Sequence, residues 1–278
     1  MVPRAWQPAA RSRARRRRAH LLGSGPTPVS LSLTVLGCDG SYPGPGGACS
    51  GYLVQGGGVN VWLDAGSGTL GNLQRHLDLR QVDAVVLSHE HPDHWMDLEG
   101  FAVARTYVVG GGAVPVYAPV GLRAHLYFDP PDVYDWREIG DGDRVGVGAL
   151  TLSFRRTDHG PETLAVRVDG VGSSVGYSAD SGPAWSLEAL GPGLDLALCE
   201  ATYLRDDEGR AQHMSARQAG TSGREAGVGR LVLTHRWPTV AAEASREEGS
   251  TAFGSELELA RPGAAFVVGP GGRPGEMA

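Results

Sequence analysis

Side chains that bind divalent metals crowd into the segment SHEHPDHWMDLEG at residues 88–100. Within six positions stand three histidines and two acids, His89, Glu90, His91, Asp93 and His94. Neutral imidazole and carboxylate are the ligands that zinc and similar divalent metals take. Without a metal, so many polar groups in one folded site would need another way to offset their desolvation. The segment therefore predicts a metal centre, although a solvated polar turn has the same composition.

More candidate ligands lie far along the chain, in short loops or directly after apparent strands. These are His159 in RRTDHGPE, Asp180 in VGYSADSG, His213 in AQHMSARQ and His235 in LVLTHRWP. A pair of divalent ions needs more ligands than one loop supplies, so these residues are expected to complete the centre. His76 and His125 stand in helical patterns typical of packing or surface histidines, and His20 belongs to the N-terminal segment.

The chain leaves the apolar segment AVVLS directly into the first histidines. A strand there would place them at its carboxyl end, where α/β proteins hold their sites. If the exit stays extended, His89 and His91 project to one side by the period of two. Pro92 marks the start of a helix near Asp93, which would turn His94 toward the same space.

The elements that must position these residues are short and separated by many of the 42 glycines and 18 prolines. The apolar pattern predicts eleven strands: 31–36, 51–54, 59–64, 84–88, 114–118, 150–154, 164–168, 173–178, 194–199, 230–234 and 264–268. Helical patterns cover 69–78, 94–106, 184–190, 215–226 and 240–247. Many strands with fewer interspersed helices indicate a layered α/β protein, and we expect a single domain over residues 29–269.

Charge is distributed unevenly along the 278 residues. Residues 1–28 carry seven arginines and no acid. The remaining residues therefore hold 18 of the 25 basic residues and all 31 acids, a net charge of −13. The Arg-rich segment lacks the apolar stretch of a signal peptide and is predicted to be a disordered leader, either functional or an upstream mis-start. Residues 270–278 are predicted to be a disordered tail. The acidic body argues against broad phosphate-backbone binding but allows a small anionic substrate held by metal.

Membrane and disulfide-rich classes are excluded by composition. No apolar run approaches the roughly 18 residues that a membrane helix needs. The three cysteines, Cys38, Cys49 and Cys199, are widely spaced and form neither a disulfide framework nor a CxxC metal knuckle. We therefore expect a cytoplasmic protein with no membrane partner, and a homodimer is compatible with the sequence.

Taken in order, several motifs resemble the metallo-β-lactamase superfamily over roughly residues 30–268. They are HxHxDH at 89–94, VLGCDGSYPGPGGACSGYLV, LDAGSGTL, YSADSG, CEATY, HMSARQAG and the histidine after LVLT. The resemblance implies a four-layer αββα sandwich with metals at one edge. It also implies that His89, His91 and His159 bind one metal, that Asp93, His94 and His235 bind a second, and that Asp180 bridges both. The ions would be zinc, with manganese as the alternative.

The resemblance extends to catalysis. A pair of metals lowers the pKa of a shared water, and Asp93 would accept or relay its proton. Because position 91 is His rather than Glu, the site resembles hydrolytic members more than di-iron oxygen reductases. CEATY at 199–203 and His213 look like the ribonuclease Z branch, whose HST histidine assists phosphodiester cleavage. Here the motif reads HMS, and Glu200 is expected to orient His213; a buried structural histidine is the other interpretation.

The substrate prediction depends on what the chain lacks. Bacterial ribonuclease Z enzymes carry a tRNA-gripping arm between the third histidine and the bridging aspartate, yet only 20 residues separate His159 from Asp180. The motifs are similar to an actinobacterial group of ribonuclease Z-like cyclic-nucleotide phosphodiesterases. We therefore predict a small phosphodiester substrate, with cAMP first. Tyr203, Arg205 and Trp237 are either pocket lining or ordinary surface residues.

Other functions stay open at this point. The chain could be a tRNA 3′ endoribonuclease of the ribonuclease Z type, a lactone, thioester or β-lactam hydrolase, or a non-catalytic relative. The segment GSGTLG at 66–71 also matches the G-x-G-x-x-G of NAD-dependent oxidoreductases. That match is weak in a glycine-rich chain, and it leaves the histidines unexplained. Under the metal interpretation, Asp64 and Gly66 belong to a turn at the end of a strand that supports the histidine loop.

Overall fold

The computed structural model describes residues 30–269. The predicted leader, 1–28, and tail, 270–278, lie outside the described residues and stay predictions. In chain order the strands are β1 (Leu31–Gly37), β2 (Gly51–Gly56), β3 (Val59–Ala65), β4 (Ala84–Val86), β5 (Val114–Ala118), β6 (Tyr134–Glu138), β7 (Arg144–Val147), β8 (Leu150–Arg156), β9 (Leu164–Gly170), β10 (Ser173–Tyr177), β11 (Leu196–Glu200), β12 (Arg230–Thr234), β13 (Glu258–Leu259) and β14 (Ala265–Val268).

The strands form two seven-stranded sheets of mixed direction. The first has the order β14-β1-β2-β3-β4-β5-β6, and the second has the order β13-β12-β11-β10-β9-β8-β7. In each sheet one half is antiparallel and the other half is parallel: β3 to β6 run parallel in the first, and β10 to β13 in the second. The parallel strands end at a common edge, where loops can meet.

Within residues 30–269, four α-helices cover the outer faces of the sheets. They are α1 (Thr69–Leu73), α2 (Asp97–Ala104), α3 (Ala216–Glu225) and α4 (Ala242–Phe253). One π-helical turn, Arg105–Val109, continues α2, and short 3₁₀ turns lie at Leu79–Gln81, Pro92–His94, Leu122–His125, Leu187–Leu190 and Arg205–Asp207. No helix among the described residues is long and apolar enough to cross a membrane.

Three separate apolar clusters show that the described part of the chain has four layers. The central cluster joins the two sheets and contains Val61 of β3 together with Leu152 and Phe154 of β8. A second lies between the first sheet and α1 and α2, and a third between the second sheet and α3 and α4. Strands such as β11 (LALCE) are buried on both faces, which explains their continuous apolar sequence. The predicted αββα sandwich is confirmed.

All eleven predicted strands are present, and the three that the sequence did not reveal are edge strands. These are β6 (YDWRE), β7 (RVGV) and the two-residue β13. Edge strands tolerate charged and exposed residues, so they lack a strong apolar pattern. The predicted helix 184–190 is wrong: only the 3₁₀ turn Leu187–Leu190 forms, because Gly191 at φ 81° and Pro192 follow it. Helix α2 begins later than predicted because residues 92–94 form a separate 3₁₀ turn.

Candidate metal centre

The histidine loop leaves the carboxyl end of β4 and presents its first two imidazoles to one point. His89 Nε2 lies 3.0 Å from His91 Nδ1, and His159 Nε2 lies 3.2 Å from that same atom. His159 follows β8, in the other sheet. Asp180 completes the group, with its Oδ2 3.6 Å from His89 Nε2 and 4.0 Å from His159 Nε2. Three nitrogens and one oxygen therefore converge from two sheets.

A second ligand group lies beside the first. His94 Nε2 is 3.4 Å from Asp93 Oδ2, and His235 Nε2 is 3.2 Å from the same oxygen. The other oxygen of Asp180, Oδ1, is 3.2 Å from His94 Nε2 and 3.3 Å from His235 Nε2. Asp180 thus offers one oxygen to each group. In both groups the potential ligand atoms all lie within 4.8 Å of one another, as a metal ion requires.

Four histidines donate a hydrogen bond from Nδ1 to the surrounding protein. His94 donates to the Asp64 carboxylate at 2.7 Å and His159 to the Gln212 carbonyl at 3.0 Å. His89 and His235 contact the hydroxyls of Ser88 and Thr202, each at 3.0 Å. Both hydroxyls donate their own hydrogen to a carboxylate, so they accept from the imidazoles. In the neutral form, each of these imidazoles consequently presents an unprotonated Nε2 to the centre, the state in which imidazole binds a metal.

Unsatisfied polar atoms show that the residues fit a metal. Among the described residues, His94 Nε2 and Asp180 Oδ1 are buried and have no hydrogen-bond partner. Leaving such atoms without a partner costs about 1–3 kcal/mol each. When His94 is neutral, the 3.2 Å between them brings two lone-pair atoms together, an approach that a divalent cation would relieve. Nitrogen and carboxylate donors of this kind suit zinc.

Charge at the centre favours a cation as well. Burial lowers the pKa of His94, but Asp180, Asp93 and Asp64 outweigh it and raise that pKa well above its usual value. For Asp180, burial raises the pKa, yet the surrounding imidazoles of His235, His94 and His89 lower it far more. The centre therefore attracts positive charge, which either protons or metal ions supply.

Asp64, at the end of β3, braces the histidine loop as predicted. Its buried carboxylate accepts hydrogen bonds from the Ser88 backbone and hydroxyl, each at 2.8 Å, and from the Tyr177 hydroxyl at 2.7 Å. Gly66 packs so closely that a Cβ there would lie 1.9 Å from the Asp93 carbonyl oxygen. Leu70, at the start of α1, donates its N–H to Asp97. The GSGTLG turn therefore packs against the histidine loop. The Asp97 carboxylate occupies the position after this turn at which a dinucleotide phosphate would bind.

His213 lies at the rim of the centre and is paired with a buried acid. Its Nδ1 lies 2.8 Å from Oε1 of Glu200, whose side chain is fully buried, as we expected for an orienting residue. Burial lowers the pKa of His213, but the Glu200 carboxylate outweighs it and raises the pKa to about 9. The His213 ring lies 5.1 Å from the His159 ring and 5.3 Å from the His235 ring, centroid to centroid. His213 therefore holds a proton directly beside both ligand groups.

A third set of potential ligands, Asp180, Glu200, His213 and His235, shares two members with the second group. Glu200 already accepts hydrogen bonds from Ser181 and Met214 backbone N–H groups and from the Thr202 hydroxyl. Its oxygens are therefore committed to the protein, and this set describes the positioning of His213.

The structure brings the predicted ligands together, but the sequence did not identify the groups that orient them. Ser88, Thr202 and Gln212 have this role. Each stands in a segment already quoted, SHEHPDHWMDLEG, CEATY and AQHMSARQ, but none was singled out there. The exposed His76 and the half-exposed His125 lie outside the centre, as expected; His125 pairs with Glu90 at 3.1 Å. Among the other candidate pocket residues, Tyr203 and Trp237 contact each other near His213, whereas the Arg205 side chain lines a groove between α3 and α4.

Comparison with known proteins agrees with this geometry. The profile of the family described as "Beta-lactamase superfamily domain" matches residues 59–236. Uncharacterized protein Rv1339 of Mycobacterium tuberculosis is 36% identical over 242 residues, which is 82% of this chain and 88% of the relative. Ribonuclease Z of Mycobacterium avium is 28% identical over 271 residues, covering 82% and 95%.

A similar protein with a solved structure is YhfI of Bacillus subtilis, a probable metallo-hydrolase. It is 31% identical over 242 residues, with 84% of this chain and 98% of YhfI covered. The crystal structure of this metallo-β-lactamase fold protein superposes with a TM-score of 0.79 at 29% identity, and covers 85% of this chain and 99% of YhfI.

Proposed function

Because the chain belongs to the metallo-β-lactamase superfamily and is a metal-dependent hydrolase, we propose that its substrates are phosphodiesters, foremost 3′,5′-cyclic nucleotides such as cAMP. The observation that carries this proposal is the His213–Glu200 pair at 2.8 Å beside the double ligand group. A protonated imidazole is suited to a reaction in which an ester oxygen leaves with negative charge. The similarity to a ribonuclease Z, which covers 82% of this chain, supports the same class.

Two divalent cations, zinc first and manganese as the alternative, would be held by the two ligand groups. His89, His91 and His159 would bind one ion, Asp93, His94 and His235 the other, and Asp180 would bridge them. Bound there, such a pair supplies Lewis-acid activation of a water and of a phosphoryl oxygen. These ligand assignments are part of the proposal.

In this mechanism Asp93 and His213 each carry out one of the two proton transfers. Asp93 accepts the proton of the attacking water; the Ser41 backbone N–H, 2.9 Å from Asp93 Oδ2, keeps its carboxylate in place. The water oxygen bonds to phosphorus while one P–O ester bond breaks. His213 donates its proton to the leaving oxygen, and Glu200, with no exposed surface, holds the imidazole by its Nδ1–H.

Folded tRNA is a less suitable substrate. The stretch between His159 and Asp180 is described in full and consists of the hairpin β9–β10, whose turn is Val171–Gly172. No tRNA-gripping arm is inserted there. Together with the acidic body, this favours a small phosphodiester over a polynucleotide backbone.

The test combines one variant with a substrate panel. His213→Ala should lower kcat for cAMP, whose leaving ribose oxygen needs a proton, by roughly 10²–10⁴-fold, as loss of a general acid does. The kcat for bis(p-nitrophenyl) phosphate, whose phenolate leaves without a proton, should fall less. Metal content, measured by plasma mass spectrometry, should stay at the wild-type level. His125→Ala removes a histidine outside the centre and serves as the control.

The panel should contain cAMP and other cyclic nucleotides, precursor tRNA, a lactone, a thioester and a β-lactam. Cleavage of the cyclic nucleotides is expected. Trimming of precursor tRNA with cyclic nucleotides untouched would instead identify a ribonuclease Z activity. Full turnover of cyclic nucleotides by His213→Ala would contradict the proposed mechanism.

A further inference from the structure

A stack of planar side chains lies beside the centre and has no part in the mechanism above. The Trp237 ring packs edge-to-face on Tyr203, with 5.6 Å between centroids and 75° between planes. The guanidinium carbon of Arg210 lies 5.4 Å from the centroid of the same indole. We call Tyr203, Trp237 and Arg210 the planar stack.

Hydrogen bonds attach the planar stack to the ligand loops. The indole N–H of Trp237 donates to the Ser41 hydroxyl at 3.1 Å, and Ser41 is the residue whose backbone N–H donates to Asp93. The Trp237 backbone N–H donates to the Thr202 carbonyl at 3.2 Å. One residue, Ser41, therefore separates the indole from a candidate metal ligand.

The other end of the planar stack reaches the acid that protonates the leaving group. The Tyr203 ring is perpendicular to the His213 ring, with 6.4 Å between centroids. Its hydroxyl donates to the Ala211 carbonyl at 2.5 Å, which positions the segment that carries Arg210 and His213. The stack thus lies along one side of the space between Asp93 and His213, where a phosphodiester would be bound.

Solvent exposure distinguishes Arg210, the outermost residue of the planar stack, from a residue that only packs in the core. Arg210 keeps 59% of its side-chain surface exposed, and its partner Asp207 keeps 45% exposed. Trp237 is half-buried, whereas Tyr203 is fully buried. An indole and a guanidinium plane at the edge of a reaction site are the groups on which unpaired nucleobases stack. The planar stack therefore has a buried support, Tyr203, and an accessible outer part.

We infer that Trp237 and Arg210 form a base subsite, which binds the nucleobase of a nucleotide substrate while its phosphodiester occupies the metal centre. This inference rests on the proposed phosphodiesterase function and adds the part of the substrate that is recognised. Stacking is tolerant of base identity, so the subsite selects nucleotides over other phosphodiesters. It predicts little discrimination between adenine and other bases.

Two esters with the same leaving group test the base subsite. Thymidine 5′-(p-nitrophenyl) phosphate carries a nucleobase, and methyl p-nitrophenyl phosphate carries none; both release p-nitrophenol. The ratio of their kcat/KM values should exceed one in the wild type. Trp237→Ala and Arg210→Ala should each lower that ratio by at least about fivefold, the effect expected from losing a stacking contact.

Matched variants separate stacking from a general effect on folding. Trp237→Phe retains a ring and should restore part of the ratio. Arg246→Ala, like Arg210→Ala, removes an arginine paired with an acid three positions earlier, but on α4, and should leave the ratio unchanged. If the wild type cleaves both esters and neither Trp237→Ala nor Arg210→Ala changes their ratio, the base subsite is wrong and the phosphodiesterase stands. If the wild type cleaves no phosphodiester, the proposed function falls and the subsite falls with it.

Discussion

At the scale of single residues, the centre depends on hydroxyls and carbonyls as much as on its histidines. Thr202 is the clearest case, because its hydroxyl donates to Glu200 at 2.8 Å and therefore accepts from His235 Nδ1 at 3.0 Å. The same carboxylate, Glu200, holds His213. One buried acid thus orients a candidate ligand through Thr202 and the candidate proton donor directly.

Replacing this hydroxyl should weaken metal binding. Thr202→Val keeps the shape of the side chain but removes the group that holds Nδ1–H of His235. We expect zinc affinity to fall roughly 10- to 100-fold, the usual cost of losing a partner behind a ligating histidine. Titration against a competing chelator measures it. Thr202→Ser retains the hydroxyl, and its zinc affinity should remain near that of the wild type. Equal zinc affinities of the Val and Ser variants would show that the Thr202 hydroxyl does not support metal binding by His235.

At the scale of elements, α3 links the outer layer to the centre. It begins at the cap residue Ser215, two positions after His213, and packs on α4 where both helices carry glycine. A Cβ on Gly220 of α3 would lie 2.3 Å from the Gly249 carbonyl oxygen of α4. A shift of α3 along this contact would carry His213 with it.

Gly220→Ala should therefore destabilise the protein despite the better helix propensity of alanine. Overpacking of this kind costs about 1–3 kcal/mol. Gly71→Ala in α1 is the matched control, since nothing lies within 4 Å of the added methyl group; it should be neutral or stabilising by up to about 1 kcal/mol. Urea unfolding of both variants measures the free energies. Gly220→Ala at or above wild-type stability would show that the two helices separate easily.

At the scale of the whole molecule, the candidate ligands come from both sheets. The loop after β4 belongs to the first sheet, whereas His159, Asp180 and His235 follow β8, β10 and β12 of the second. Metal bound between them would link the two halves of the sandwich. A group that binds the folded state alone stabilises it by mass action.

Removing the metal should consequently lower Tm. At a free metal concentration 100 times Kd, one site contributes about 2.7 kcal/mol to the free energy of unfolding. Calorimetry of metal-loaded protein, before and after treatment with a chelator, should show the decrease, and Asp180→Asn should show a smaller one. An unchanged Tm of the loaded wild type would mean that the ions do not stabilise the sandwich.

Much of this protein is determined locally and can be inferred from sequence. The segment HEHPDH places five polar groups within six positions by chain geometry alone, and strands buried on both faces are visible in the sequence as apolar runs. The edge strands β6, β7 and β13 lack that pattern because their stability comes from pairing with a neighbour. Tertiary structure alone decided which nitrogen of His94, His159 and His235 faces the centre. That choice depends on Asp64, Thr202 and the Gln212 carbonyl, which stand 30, 33 and 53 positions from the histidines they bind. No local periodicity encodes such contacts, because they exist only once two sheets have packed.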